Sequence, residues 1–352
     1  MSDRPAALFP AFPAPRDRAF TLIEVLVSMV VLAIIVGIIF SMISQTGSLW
    51  KNTSAKMESY KNARAAFDAM TRTISQATLN TYYDYQDSTG TWSSVSGKPP
   101  STYARRSDLE FTCGQGSTLI GSTYINGAST YTPVTHSLFF QAPLGWSNAY
   151  ATQQRLLNAC GFYVAYGPDP TVPPYLSGLS PHYKYRLMQF IQPSENLAVY
   201  EYPTATTWFT QPISTTYDHA SNFVLAENVI ALVIWPKSAG DSATTTPLTA
   251  GSTYSYDSRT TGISYNQLPP VVDVTMVSID EASAIRLGNP STPPNSTVGL
   301  TSTIFTTATY PTSGQSQLQI DLATMESTLS NAHLNYHVFQ TEVAIGGAKW
   351  SQ

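Results

Sequence analysis

The chain has 352 residues, enough for one large domain or two modest ones, and carries a formal net charge of −4 at pH 7. Only 11% of the residues are charged against 43% hydrophobic, and with no basic surplus there is no electrostatic footprint for nucleic acid. No zinc-type spacing, phosphate-binding loop, dinucleotide fingerprint or serine-nucleophile elbow occurs, so the sequence gives no support to an enzyme, a metal centre or a cofactor.

Residues 1–19 place Arg4, Arg16 and Arg18 against Asp3 and Asp17, with prolines at 5, 10, 13 and 15, and no helix runs through that pattern. At Phe20 the character changes. The stretch Phe20–Ile43 is almost wholly apolar, and Val25–Trp50 contains no charged residue. At 1.5 Å per residue such a run crosses a bilayer core of ~30 Å. It is apolar on all sides, which suits lipid or a packed helical core rather than a surface helix. A secretory signal peptide would be shorter and would end in an Ala-x-Ala site, which is missing here. The leader is therefore expected to be removed and the apolar run to remain.

Glu24 is the anomaly of this run. A charge in an apolar spanning segment costs on the order of a few kcal/mol and needs a partner. Cleavage between Ala19 and Phe20 would create one, a new α-amino group four residues from Glu24. The segment Arg18-Ala19-Phe20-Thr21-Leu22-Ile23-Glu24-Val25-Leu26 resembles the prepilin peptidase site of type IV pilins and type II secretion pseudopilins. The resemblance implies a cut before Phe20, N-methylation of Phe20, and a docking role for Glu24 as the fifth mature residue. The family carries Gly before the cut and this chain has Ala19, a small residue that still fits but implies slower processing.

Beyond Trp50, Met57, Tyr60, Arg64, Phe67, Met70, Ile74 and Ala77 recur at spacings of three and four, which predicts that the helix continues to about Leu79 with one buried face. Gly37 is a candidate flexible point. Lys51, Lys56 and Lys61 follow the apolar run and Arg16 and Arg18 precede it, so basic residues do not orient it and the cleavage motif does.

The remainder reads as strands. Alternating or short apolar runs predict them at 108–113, 137–141, 161–166, 184–190, 197–202, 229–235, 271–279 and 337–343. A helix is predicted at 321–331 with Asp321 as N-cap. Loops rich in Pro, Gly, Ser and Thr are expected at 86–104, 236–262 and 288–316. Phe111–Gln154 and Leu287–Ile320 contain no Lys, Arg, Asp or Glu, as suits exposed strands and loops of an extracytoplasmic protein. Cys113 and Cys160 could form one disulfide, closing a loop of roughly 45 residues and adding about 3–4 kcal/mol, or remain buried thiols. His333 and His337, and a loose acidic loop at Asp84, Asp87 and Gly90, are the only weak metal-like patterns. The richness in tyrosine and tryptophan could serve surface adhesion, or fill sheet cores.

This layout resembles the larger minor pseudopilins and minor pilins of the J and W types. Asn62–Arg72 on the helix, Leu225–Leu232, Leu268–Val274 and the closing Ala348-Lys-Trp350 carry the similarity. The helix segment and the Trp350 ending also look like the Verru_Chthon cassette protein C group. The resemblance implies an α+β, pilin-like lollipop: a long N-terminal helix packed on an antiparallel β-sheet head with long loops. Its parts would be a leader at 1–19, a membrane and assembly helix at 20–45, an amphipathic stalk at 46–80 and a β-rich head at 81–352. It implies a structural, non-enzymatic subunit in the inner membrane with a periplasmic head. Prepilin peptidase, other pilin or pseudopilin subunits and inner-membrane lipid would be its partners. A membrane-anchored adhesion module, or a surface-anchored hydrolase, is the alternative.

Overall fold

A computed structural model describes residues 21–126, 129–149, 153, 155–169, 178, 181–201, 207–214, 221–238, 248, 253–260, 262, 264–308 and 316–349. The leader 1–19, Phe20 and Trp350 lie outside the described residues. The chain divides into two compact units, Met1–Ser54 and Ala55–Gln352. Helix α1 spans Leu22–Ile74, its residues before Ala55 belonging to the first unit and the rest to the second. The helix passes through Gly37 without a break. It ends before the predicted Leu79 because the Thr78 amide turns to the Gln141 carbonyl at 2.9 Å, tying the chain to a sheet.

Within the second unit the buried stripe of α1 is Ala63, Ala66, Phe67, Met70 and Ile74, with Ala77 just beyond. Its lower part matches the predicted spacing. Its upper part does not: Met57 is 69% exposed and Arg64 points to solvent, where it pairs with Asp68 at 3.8 Å. Two alanines take the inner positions instead, and their small side chains let the helix sit close to the sheet.

The strands are β1 (Tyr82–Gln86), β2 (Thr102–Arg106), β3 (Thr112–Gln115), β4 (Tyr124–Asn126), β5 (Ser129–Ala142), β6 (Asn158–Pro168), β7 (Tyr183–Gln192), β8 (Ser221–Glu227), β9 (Val229–Lys237), β10 (Tyr256–Asp257), β11 (Val271–Ile279) and β12 (Tyr336–Ala344). Short helices α2 (Ser93–Ser96), α3 (Gly116–Leu119), α4 (Ala198–Glu201), α5 (Thr207–Ile213) and α6 (Glu281–Arg286) interrupt them, and α7 covers Gln317–Asn331. All pairings are antiparallel. They build a β1–β2 pair, a seven-stranded sheet ordered β10-β3-β5-β6-β7-β8 with β4 on β5, and a three-stranded sheet ordered β12-β11-β9. The mixed α+β class, a long N-terminal helix followed by antiparallel sheets, agrees with the expectation.

The larger sheet is buried on both faces. Leu138, Phe140, Cys160, Phe162 and Val164 join one core with α1, α7 and the smaller sheet. Phe139, Tyr163, Met188 and Phe190 join a second core with Trp208 and Phe209 of α5. Strand β6 is buried along its whole length, which explains its unbroken apolar run.

Three local predictions are corrected. The strand predicted at 197–202 is replaced over its described residues by α4, Ala198–Glu201, with Ala198 and Val199 fully buried and Tyr200 exposed. A run that short does not separate the two periods. Residues 108–111 do not join the ladder, because the Glu110 and Phe111 amides are taken by Gln141 Oε1 and Ser258 Oγ, both at 2.9 Å. Helix α7 is capped by Ser316, whose hydroxyl accepts from the Gln319 amide while Gln319 Oε1 accepts from the Ser316 amide. Asp321 instead lies inside the helix, accepting from the Phe305 amide at 2.8 Å.

Candidate functional site

Of the site predicted at the N-terminus, Glu24 falls on the first turn of α1. The Thr21 carbonyl accepts from the Glu24 and Val25 amides at 3.0 and 3.3 Å, starting the helix. From Leu22 to Ile43 the apolar side chains are exposed, including Leu22, Ile23, Leu26, Met29, Leu32, Ile34 and Phe40. The most apolar part of the helix has a mean hydropathy of 3.0, and among the described residues none of that part is buried. A helix of this length and composition can cross a membrane.

The polar atoms within this run are almost all satisfied locally, as a lipid-facing helix requires. Ser28 Oγ donates to the Val25 carbonyl at 2.8 Å, Thr46 Oγ1 to Met42 at 2.8 Å and Ser48 Oγ to Gln45 at 2.8 Å. Gln45 Nε2 donates to Ser41 Oγ at 3.4 Å. Glu24 is different. Among the described residues its carboxylate has no hydrogen-bond or ion-pair partner, and it shares one helix face with Val27, Ser28, Val31 and Ile35. Ala19 and Phe20, the proposed cleavage pair, lie outside the described residues.

The two cysteines are free thiols, both buried. Cys113 sits opposite Leu138 and Cys160 opposite Phe140, so β5 runs between them and their registers differ. Strands one apart in a sheet are separated by about 10 Å, beyond the roughly 7 Å that a disulfide spans. Of the two alternatives the sequence leaves open, the structure shows the buried thiols. Burial pushes the Cys113 thiol up and takes the Cys160 thiol to about 12, leaving both unreactive.

The weak metal patterns come apart in space. Asp87 Oδ1 accepts from the Thr89 amide, the Thr89 hydroxyl and the Thr91 amide, closing a turn, while Asp84 pairs with Arg106 at 2.5 Å. His333 occupies a turn at φ 55° after α7, and His337 lies on β12 against Tyr60 and Phe339. Among the described residues no group of three His, Cys, Asp or Glu is placed to hold a metal.

Two buried titratable groups escape a reading of the sequence. Glu110 is 2% exposed, accepts from Trp208 Nε1 at 2.8 Å and meets Arg259 Nη1 at 2.7 Å. Burial raises its carboxyl to about 7 even though the Arg259 cation opposes the shift. His136 accepts from the Ile234 amide at 3.0 Å and donates Nε2–H to the Phe305 carbonyl at 2.8 Å; burial lowers it to about 4. Both tie core segments together. Glu110 leaves a trace in the alternation of 108–113, but its partners Trp208 and Arg259 are far along the chain, and no local pattern finds them.

Residues 15–40 match the family model of the prokaryotic N-terminal methylation motif. No curated protein and no solved structure matches the chain. The matched segment contains Glu24 and the exposed apolar run up to Phe40, the same residues that the geometry isolates. Taken with the α+β fold, the methylation motif supports a type IV prepilin-like protein.

Proposed function

We propose that the chain is a structural subunit, a minor pilin or pseudopilin, of a type IV pilus or type II secretion-like pseudopilus. Prepilin peptidase cuts between Ala19 and Phe20, Phe20 is methylated, and the apolar helix then holds the protein in the inner membrane with the β-rich part in the periplasm. Other pilin or pseudopilin subunits are the partners. The parts are a leader at 1–19, an assembly helix at 20–45, a stalk at 46–80 and a head at 81–352. The similarity to J-type and W-type minor subunits, and to the Verru_Chthon cassette protein C group, rests on the stalk and head segments already named.

One observation carries this reading: a carboxylate that has no partner among the described residues, in an otherwise self-satisfied apolar helix. In lipid that carboxylate must be neutralised, and the amino terminus of a processed neighbour supplies the charge where water is excluded. The test replaces Glu24 by Ala in cells that assemble the filament. Membrane insertion and leader removal are expected to persist while incorporation into sheared filaments drops at least tenfold, the equivalent of about 1.4 kcal/mol. Wild-type incorporation of Glu24→Ala would remove the docking role.

A further inference from the structure

Strand β12 ends the three-stranded sheet, and among the described residues its outer edge pairs with no other strand. Its nine residues, Tyr336–Ala344, pair with β11 in a single register without a shift. At the two ends of this ladder the Ile345 amide donates to the Pro270 carbonyl at 3.1 Å and the Asp280 amide to the Asn335 carbonyl at 3.3 Å. Bonds to the partner strand recur every second residue, so the odd-numbered residues of β12 bond to β11. Tyr336, Val338, Gln340, Glu342 and Ala344 therefore aim their amides and carbonyls outward. Just past the strand, at Gly346, the outward amide is taken by the Ser75 carbonyl of α1 at 3.1 Å.

The usual protections of a sheet edge are missing here. Tyr336–Ala344 contains no proline and no lysine and carries no bulge. Its one carboxylate, on Glu342, is drawn back over the sheet to Lys237 Nζ at 3.1 Å.

Helix α1 runs beside β12 in the same direction, with Tyr60 against His337, Phe67 against Phe339 and Ser75 against Gly346. An open groove of about 460 Å³ follows the edge, lined by Asp68, Thr71, Arg72 and Ser75 of the helix and by 341–344 of the strand. Lys61, Arg64, Asp68 and Arg72 recur at spacings of three and four, forming one exposed stripe on this flank. Arg64 and Asp68 pair with each other at 3.8 Å. Lys61 and Arg72 have no partner among the described residues. The flank is thus positive in a chain whose net charge is −4.

We propose that β12 accepts an acidic, extended segment of another protein as an added strand, its backbone bonding to Gln340 and the neighbouring even-numbered residues and its carboxylates meeting Lys61 and Arg72. Main-chain hydrogen bonds hold such a strand, and charge decides which strand is chosen. Lys61 and Arg72 lie about 16 Å apart along the helix. Four residues of strand span ~13 Å, so long acidic side chains four apart on one face reach both. A second copy does not fit this edge. Antiparallel pairing of two β12 strands would set the two α1 segments head to tail, which two chains anchored in one membrane by their N-terminal helices cannot adopt. Parallel pairing about a two-fold axis along the strands would turn equivalent side chains to opposite faces, out of step with the pleat. Only the first exclusion rests on the anchoring proposed above, and leader processing is measured separately, so either reading can fail alone.

The test is calorimetric titration of the full-length protein in detergent micelles with the capped peptide Thr-Glu-Thr-Val-Thr-Glu-Thr and with its counterpart bearing Lys in place of Glu. The acidic peptide is expected to bind about tenfold more tightly. Hydrogen exchange should slow at the Val338, Gln340 and Glu342 amides on binding and stay unchanged at Phe339 and Thr341. Gln340→Pro removes the central outward donor and keeps the bonds to β11, as an edge position allows, and should abolish binding. Arg72→Gln, a change at an exposed side chain, should weaken binding about fivefold and flatten its salt dependence. No binding of the acidic peptide at millimolar concentration, equal affinity for the two peptides, unchanged exchange at Gln340, or self-association of the protein that Gln340→Pro abolishes would each overturn the proposal.

Discussion

Gly161 on β6 lies opposite Phe139 on β5, and a Cβ there would come within 2.2 Å of the phenylalanine ring. The same arrangement recurs at Gly167 under Tyr131, again at 2.2 Å. In both places a glycine gives up its side-chain volume to a large ring from the neighbouring strand. Phe139 cannot easily yield, because it stacks on Phe209 at 4.0 Å in the second core. Gly161→Ala is therefore expected to destabilise the β-rich part by roughly 1–3 kcal/mol, the usual cost of overpacking. Chemical denaturation of the purified protein measures this, and a wild-type midpoint would show that the ring moves aside. Nothing in the run Cys160-Gly161-Phe162 signals this contact, since the partner ring is supplied by another strand. Glu24 stands at the other extreme. Its isolation in an apolar run is a local property, visible in the order of residues alone.

At the scale of elements, α1 shows what periodicity resolves and what it leaves open. Met57 and Met70 belong to the same predicted stripe, yet Met70 is fully buried and Met57 is 69% exposed. Spacing identifies a face of a helix but not where along it the sheet begins. Met70→Ala is expected to cost about 2–5 kcal/mol through the cavity it leaves. Met57→Ala should stay within about 0.5 kcal/mol, as surface changes do. Thermal unfolding of the two variants side by side checks the assignment, and equal losses would contradict it. Strands β7, β9, β11 and β12 are legible in the sequence because long runs of β-branched and aromatic residues carry their own period. The short strands β1, β2, β4 and β10 are not, because each is held by a partner strand rather than by its own composition. The Ser316–Gln319 capping box is present in the sequence, but the apolar period masks it and shifts the expected start of α7 to Asp321.

At the scale of the whole molecule, stability should follow pH through two buried groups of opposite sign. Glu110 has its carboxyl raised from 4.5 to about 7, so its contribution is full below 4.5 and is lost as pH rises through 7. His136 is lowered from 6.5 to about 4, so its contribution is full above 6.5 and is lost as pH falls toward 4. Between these limits the two slopes oppose one another. Glu110→Gln deletes the first and keeps an acceptor for Trp208. Its melting temperature is expected to climb more steeply between pH 4 and 6.5 than that of the wild type, whatever its absolute stability. Parallel profiles for the two proteins would show that folding does not raise the Glu110 carboxyl.

The fold class and the N-terminal motif are readable from the chain because hydropathy and a charged exception are properties of contiguous sequence. The Glu110–Arg259–Trp208 contact, the free thiols and the open edge of β12 depend on strand order, which no single segment encodes. The central claim is that the Glu24 carboxylate, which has no partner among the described residues of the chain, is neutralised by an amine that proteolysis exposes. N-terminal sequencing with intact-mass measurement of the protein extracted from membranes tests it most directly. A chain beginning at Phe20 and carrying one added methyl group is the expected result; recovery of a chain still beginning at Met1 would contradict it.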